Sequence, residues 1–128
     1  MKHTIVMASF GILLGGLSAF VGLPRMVEAI LWLVVCAIWF LYGTRSALDM
    51  PVRRMAFAAT LAGLLSGSMQ VFFMEQYKAS NPWYGEVFAT SSAQDLATRF
   101  LTHGIAIGVV TGIAVGALVR WRLQSRSA

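Results

Sequence analysis

Residues 103–117 read HGIAIGVVTGIAVGA, with Gly104, Gly108, Gly112 and Gly116 spaced four residues apart in an otherwise apolar segment. Four residues are close to one helical turn, so the glycines form one stripe along a helix. In water a helical glycine costs about 1 kcal/mol relative to alanine, but within a membrane the backbone has no other hydrogen-bond partner than the helix itself. The stripe therefore predicts a transmembrane helix whose backbone lies directly against a neighbouring helix.

Two other apolar segments carry small residues at the same spacing. These residues are Gly11, Gly15 and Ala19 in the first segment, and Ala59, Gly63 and Gly67 in the second. Small side chains at every fourth position form a groove in which another backbone can lie. We expect the groove to pack against helices of the same chain. Contact between copies of the chain is the alternative, and a glycine-lined pore is a third, less favoured one.

The segment from residue 29 to residue 44 is bulkier. Its Trp32, Cys36 and Trp39 fall on one face of a helix. This pattern is typical of aromatic side chains that face lipid or the membrane interface. A docking face for another protein or for a pigment-like ligand is the alternative interpretation.

The composition is that of a membrane protein. The 128 residues are 58% hydrophobic and 12% charged, and the mean hydropathy is +0.72, whereas a soluble domain of this size needs more polar surface. Three of four blocks without Lys, Arg, Asp or Glu are about long enough to cross a hydrocarbon core; the second is shorter, but a helix that begins at Pro24 would complete it, with Glu28 at the headgroup level. The sequence therefore predicts an all-α, single-domain bundle of four transmembrane helices near residues 4–23, 25–44, 54–76 and 96–120.

Basic residues are unevenly divided between the two sides of such a bundle. One side holds Lys2, Arg45, Arg53, Arg54, Arg120, Arg122 and Arg126, and the other holds Arg25, Lys78 and Arg99. The positive-inside rule then predicts a multi-pass protein of the cell inner (plasma) membrane with both termini cytoplasmic. Anionic lipid is the expected partner of these residues, and the few arginines without interleaved aromatics argue against nucleic acid.

The outer loop, residues 77–95, is the one extended segment outside the predicted spans. Asn81 and Pro82 predict an N-cap followed by proline at the first helical position. Trp83, Tyr84 and Phe88 follow at helical spacing, so we expect a short amphipathic helix whose aromatic rings anchor it in the outer interface. The residues from Ser92 to Asp95 fit a capping box that starts the last helix.

Ionisable residues near the outer boundary are the candidate polar or ion site. Glu28 begins the second helix, Glu75 ends the third, and His103 lies in the first membrane turns of the fourth. The three side chains are placed to face one vestibule, where a carboxylate and an imidazole can exchange a proton near physiological pH. The alternative is that all three are solvated residues at helix ends.

Ser66 and Gln70 lie one turn apart beside the small residues of the third helix. We expect them to face the bundle and to form an interhelical hydrogen bond, with Thr111 as the candidate partner. The sequence contains no pattern of metal ligands, cofactor-binding loop or nucleophile–base pair, and its one cysteine precludes an internal disulfide. No metal, cofactor or enzymatic activity is predicted.

Three motifs carry a family resemblance: FAATLAGLLSGSMQVFFMEQY at the end of the third helix, NPWYGEVF after it, and LTHGIAIGVVTGIAVGAL in the last helix. From Pro51 onward the chain resembles the bacterial membrane family catalogued as domain of unknown function 4199. The resemblance implies four spans, a longer outer loop with a proline–aromatic element, and a glycine-rich closing helix. This chain is smaller and lacks an acidic run in the outer loop.

Two functions are consistent with these features. The first is a non-catalytic accessory or structural subunit that associates with itself or with a larger membrane complex. The second is a small transporter or channel that uses the outer Glu28/Glu75/His103 vestibule. The first is favoured because the centre of every predicted span is free of charge, whereas ion transport generally needs polar groups near the midplane.

Overall fold

The structure is a computed structural model that describes residues 2–127, a part of the chain that folds into helices joined by short turns. The helices are α1 (Lys2–Phe20), α2 (Arg25–Arg45), α3 (Pro51–Phe72), α4 (Met74–Ser80), a 3₁₀ helix (Pro82–Tyr84), α5 (Gly85–Thr90) and α6 (Ala93–Ser127). Four of them, α1, α2, α3 and α6, are long and apolar enough to cross a membrane. The predicted all-α architecture with four candidate spans is therefore confirmed.

Two helix ends differ most from the predicted ones, and the other ends lie within three residues of them. The third helix stops at Phe72, because Phe73 leaves helical geometry (φ −109°, ψ 38°), and the segment that follows is the separate helix α4. The last helix continues beyond residue 120 into the basic tail. Leu123 still packs against the hydrophobic core at that point, so the apolar face of α6 extends further than the charge-free segment of the sequence suggests.

Helix α3 is the centre of the bundle, and its most extensive neighbour is α6. The contacts run in opposite directions along the two chains: Gly104 meets Gly63, Gly108 meets Ala59, Gly112 meets Ala56 and Gly116 meets Val52. The two helices are therefore antiparallel, with their backbones in direct contact. A Cβ at position 112 would lie 2.6 Å from the Ala56 Cα, and one at Gly67 would lie 2.6 Å from the Phe100 carbonyl oxygen.

Helix α1 packs against another face of α3. Gly11 meets Ala62, and Gly15 meets Ser66, so the residue numbers rise together and the two helices are parallel. A Cβ at position 15 would lie 2.7 Å from the Ser66 carbonyl oxygen. Ala19, which continues the same stripe, is fully buried. Each small-residue stripe that the sequence contains thus lies at a helix–helix contact.

Helix α2 contributes bulky side chains rather than backbone to the core. Trp32 and Trp39 are only 8% and 1% exposed, and their rings meet edge to face at 6.2 Å. The interpretation of this face as lipid-facing is therefore wrong. Because α1, α3 and α6 present mainly small residues, the space that remains beside them is filled by these indole rings. The indole N–H of Trp39 has no hydrogen-bond acceptor within residues 2–127.

The two ends of the bundle differ in chemistry. At the basic end α1 begins, α2 ends at Arg45 and α3 begins. Here the His3 Nδ1 and the Tyr42 hydroxyl share a 2.6 Å hydrogen bond that joins α1 to α2. Asp49 forms a 2.7 Å ion pair with Arg54 in the short connection to α3. The opposite end, formed by residues 20–25 and 72–93, is called the loop end below.

Candidate polar site at the loop end

Buried polar side chains are concentrated where α1 and α3 approach the loop end. Ser18 is 0% exposed and Gln70 is also buried. The Gln70 Nε2 donates a hydrogen bond of 3.3 Å to the Ser18 Oγ, which links α3 to α1. Ser18 lies on the same helical face as Gly11 and Gly15, so the close approach of the backbones brings its hydroxyl within reach of the amide.

The side chain of Asn81 links the end of α1 to α4 through hydrogen bonds. Its side chain is 0% exposed, and its Nδ2 donates hydrogen bonds of 2.8 Å to the carbonyl oxygens of Ser18 and Tyr77. Its Oδ1 accepts a 3.1 Å hydrogen bond from the Leu23 N–H. Asn81 therefore satisfies three main-chain groups, one each in the last turns of α1 and α4 and one in the connection between α1 and α2.

This use of Asn81 corrects its predicted role. Pro82 does occupy the first position of a helix, but the Asn81 side chain does not cap that helix. Burial explains the difference. The two carbonyl oxygens and the one N–H group that bond to the Asn81 amide are shielded from water, and an unpaired polar group there would destabilise the fold. The adjacent turn depends on Gly22, which has φ +79° and whose hydrogen atom faces the Ser80 carbonyl. A side chain fits neither that conformation nor that space.

Glu28 brings a carboxyl group to this site from the first turn of α2. It is half-buried and interacts electrostatically with His103 of α6, with the Gln70 amide of α3 and with Arg25 of its own helix. Three long helices thus contribute polar groups that interact at the loop end. The arrangement combines a carboxyl group, an imidazole and a hydrogen-bonding amide, which are the elements of a proton-binding site.

Glu75 lies elsewhere. Its side chain is 88% exposed, and its Oε1 is 3.1 Å from the Lys78 Nζ within α4. The helix break at Phe73 redirects α4 away from the axis of α3, so Glu75 lies outside the span in which it was predicted. Of the three residues proposed for one vestibule, Glu28 and His103 lie near enough to interact electrostatically, although His103 is exposed, and Glu75 lies apart on the surface.

Tyr77 of α4, which is not among the predicted site residues, lies near Glu28 in this site. Its ring is buried and meets those of Phe88 and Phe100 edge to face, at 5.8 and 4.9 Å. Burial raises the pKa of the Tyr77 phenol well above its usual value, and the neighbouring Glu28 carboxyl adds to the shift. The signal in the sequence was a tyrosine five residues after Phe72, the last apolar residue of α3.

The predicted hydrogen bond to Thr111 is not formed. The Thr111 hydroxyl donates to the Ile107 carbonyl oxygen of its own helix at 2.7 Å. In the antiparallel register Gly108 meets Thr60 and Gly112 meets Ala56, so Thr111 lies more than one turn from Ser66. Ser66 is buried against Gly15 of α1 instead.

The aromatic residues of the outer loop occupy a 3₁₀ helix followed by α5 rather than one continuous helix. Trp83 is exposed and Tyr84 meets Phe88 at 6.1 Å, while Phe88 also reaches Tyr77. The predicted capping box is present: the Asp95 N–H donates to the Ser92 Oγ at 3.1 Å, and the Ser92 N–H donates to the Asp95 Oδ2 at 3.3 Å.

Across residues 2–127, no three His, Cys, Asp or Glu side chains are grouped so as to hold a metal ion. Comparison of the chain with protein-family models, with curated proteins and with solved structures gives no match. The functional conclusion therefore rests on the packing and on the polar site described above.

Proposed function

We propose that this chain is a non-catalytic integral membrane protein, an accessory or structural subunit that associates with itself or with a larger membrane complex. The interior of the bundle carries this proposal. Helices α1, α3 and α6 touch through their backbones, and the core beside them is a cluster of apolar side chains between the polar site and the basic end. Such an interior supports rigid packing more than the passage of a polar solute.

The proposed location is the inner (plasma) membrane, with both termini in the cytoplasm. The start of α1, the end of α2 and the start of α3 share the basic end, and the excess of arginine and lysine there supports this orientation through the positive-inside rule. Membership of the family of domain of unknown function 4199 stays a prediction based on the three motifs.

The mass of the particle in native membranes tests the structural role. The protein is cross-linked in the membrane, extracted in mild detergent, and measured by size-exclusion chromatography with light scattering. We expect a multiple of the 13.9 kDa chain or a stoichiometric second protein identified by mass spectrometry. A particle that contains a single chain and no other protein, before and after cross-linking, would contradict the proposal.

The juxtaposition of Glu28 with His103 and Gln70 favours a second candidate, a small proton-coupled transporter or channel. Proton flux into proteoliposomes tests it, with Glu28→Gln and His103→Ala as the variants. Glu75→Gln is the matched control, because it also removes one carboxylate at the loop end but lies on the surface. Flux that survives in the control and disappears in Glu28→Gln would favour transport over the structural role; absence of flux in the unmodified protein would reject transport.

A further inference from the structure

A second polar feature lies at the opposite end of the molecule from Glu28. A pocket of about 430 Å³ opens between the start of α3 and the last turns of α6, and it is lined by Met50, Pro51, Val52, Arg53 and Arg120. Two guanidinium groups, both on exposed residues, and three apolar side chains therefore line one open groove on the surface. Neither the structural role nor the transport alternative proposed above uses this pocket.

The antiparallel packing determines where Arg120 lies. Gly116 contacts Val52 and Pro51, the first residues of α3. Arg120 is one turn further along α6, and it therefore lies in front of the N-terminus of α3. Arg53 reaches the same pocket from the first turn of α3. Positive charge from both helices thus meets the positive end of the α3 dipole.

No anion within residues 2–127 neutralises this position. Asp49, the carboxylate of the preceding turn, is paired with Arg54, and no ion pair joins an acidic side chain of the described chain to Arg53 or Arg120. The N-terminus of α3 has no side-chain cap, and its first backbone hydrogen bond runs from the Arg54 N–H to the Met50 carbonyl oxygen at 3.1 Å. The Arg53 N–H therefore has no acceptor within α3, whereas the Val52 backbone is covered by Gly116 of α6.

These groups match the chemistry of a phosphate. Guanidinium groups form paired hydrogen bonds with phosphate oxygens, and free N–H groups at a helix N-terminus bind the same anion. The apolar part of the pocket suits a ligand that also carries hydrocarbon, since Met50 is largely exposed. Helices α3 and α6 are candidate membrane spans, so a pocket at their ends lies at the level of the lipid headgroups.

We propose that this pocket binds the phosphate group of an anionic phospholipid, held by Arg53 and Arg120 at the N-terminus of α3. A soluble phosphate shares this chemistry, but the apolar lining and the position at the ends of two candidate spans favour the lipid. The site is independent of the proposed function, since a structural subunit and a transporter can each carry it.

Lipid binding by the full chain in detergent tests the site, with phosphatidylglycerol as the probe and native mass spectrometry to count bound lipids. The pocket variant is Arg53→Gln/Arg120→Gln. Its matched control is Arg45→Gln/Arg122→Gln, which removes the same charge from helix ends outside the pocket. A third variant, Arg53→Lys/Arg120→Lys, keeps the charge and removes the paired donors. Circular dichroism checks that all variants remain helical.

We expect the apparent Kd for phosphatidylglycerol to rise at least about tenfold in the pocket variant, because charge-assisted hydrogen bonds are lost. The control should change it by less than about threefold, since it loses only diffuse attraction. The lysine variant should lie between them, and it reports on the site even if the glutamine variant is unstable. Equal losses in the pocket variant and the control would overturn the proposal. Displacement of the lipid by equimolar inorganic phosphate would overturn its assignment to lipid, whereas no displacement supports it.

Discussion

Gly15 and Gly16 are neighbours in α1, but their replacement by alanine is expected to affect stability in opposite directions. A Cβ at position 15 would lie 2.7 Å from the Ser66 carbonyl oxygen and 2.8 Å from the Met69 Cβ. At position 16 the one atom near enough to be in contact is the Met69 Cε, at 3.9 Å. Ordinary contacts between carbon atoms are about 3.5–4.0 Å. Helices α1 and α3 must therefore separate by about 1 Å in the first variant, and they can stay in place in the second.

The size of the effect follows from two opposing terms. Overpacking a well-packed contact costs about 1–3 kcal/mol, and alanine returns at most about 1 kcal/mol of helix preference. With the full helix preference returned, Gly15→Ala should therefore lower the free energy of unfolding by up to about 2 kcal/mol. Gly16→Ala should leave it unchanged or raise it by up to about 1 kcal/mol.

Unfolding in mixed micelles provides the measurement. The two variants and the unmodified protein are titrated with sodium dodecyl sulfate in dodecyl maltoside, and helix content is followed by circular dichroism. Each variant serves as the control for the other, because both add one methyl group to the same turn of α1. Unfolding free energies that agree to within about 0.5 kcal/mol, the usual scatter of neutral substitutions, would refute backbone contact between α1 and α3 at Gly15.

Three further predictions concern the rest of the bundle. Gly112→Leu should lower the free energy of unfolding by about 3 kcal/mol or more, because its side chain would enter the α3 backbone; unchanged thermal stability in detergent would contradict the α3–α6 contact. Asn81→Ala should lower it by about 2–4 kcal/mol, since three buried main-chain groups lose their partner; hydrogen exchange should rise first at the Leu23 N–H, and unchanged exchange there would count against the assignment. Because the folded protein holds the Tyr77 phenol protonated, stability should fall as the pH rises above about 10; a Tyr77→Phe variant should show a smaller fall, and an identical pH profile would show that Tyr77 ionises freely.

The packing of the spans was predictable from the sequence because it depends on residue size. Glycine or alanine at every fourth position indicates a helix face that another backbone can approach, and α1, α3 and α6 each have such a face. The partner of each face was not predictable. Ser66 and Gln70 could face either α1 or α6, and only the register between helices places Gln70 beside Ser18.

Two other features were not predictable from local sequence. Trp32 and Trp39 face inward because the small residues of α1, α3 and α6 leave space for their rings. Indole side chains are equally compatible with lipid, so the sequence alone does not determine which way they face. Asn81 precedes a proline, a pattern that favours capping, and its actual contacts involve residues 58 and 63 positions away along the chain. A residue that joins distant segments leaves no periodic signal in its own neighbourhood.

The central position of α3 has a consequence for biosynthesis. Helix α1, which packs on one side of α3, leaves the ribosome before it, and α6, which packs on the other side, is translated after it. Until α6 has been made, the small-residue surface of α3 that it will cover remains in contact with membrane lipid. A chain terminated before residue 93 would therefore keep this face of α3 uncovered. Such a bundle would be incompletely packed, and quality-control proteases of the membrane would be expected to degrade it.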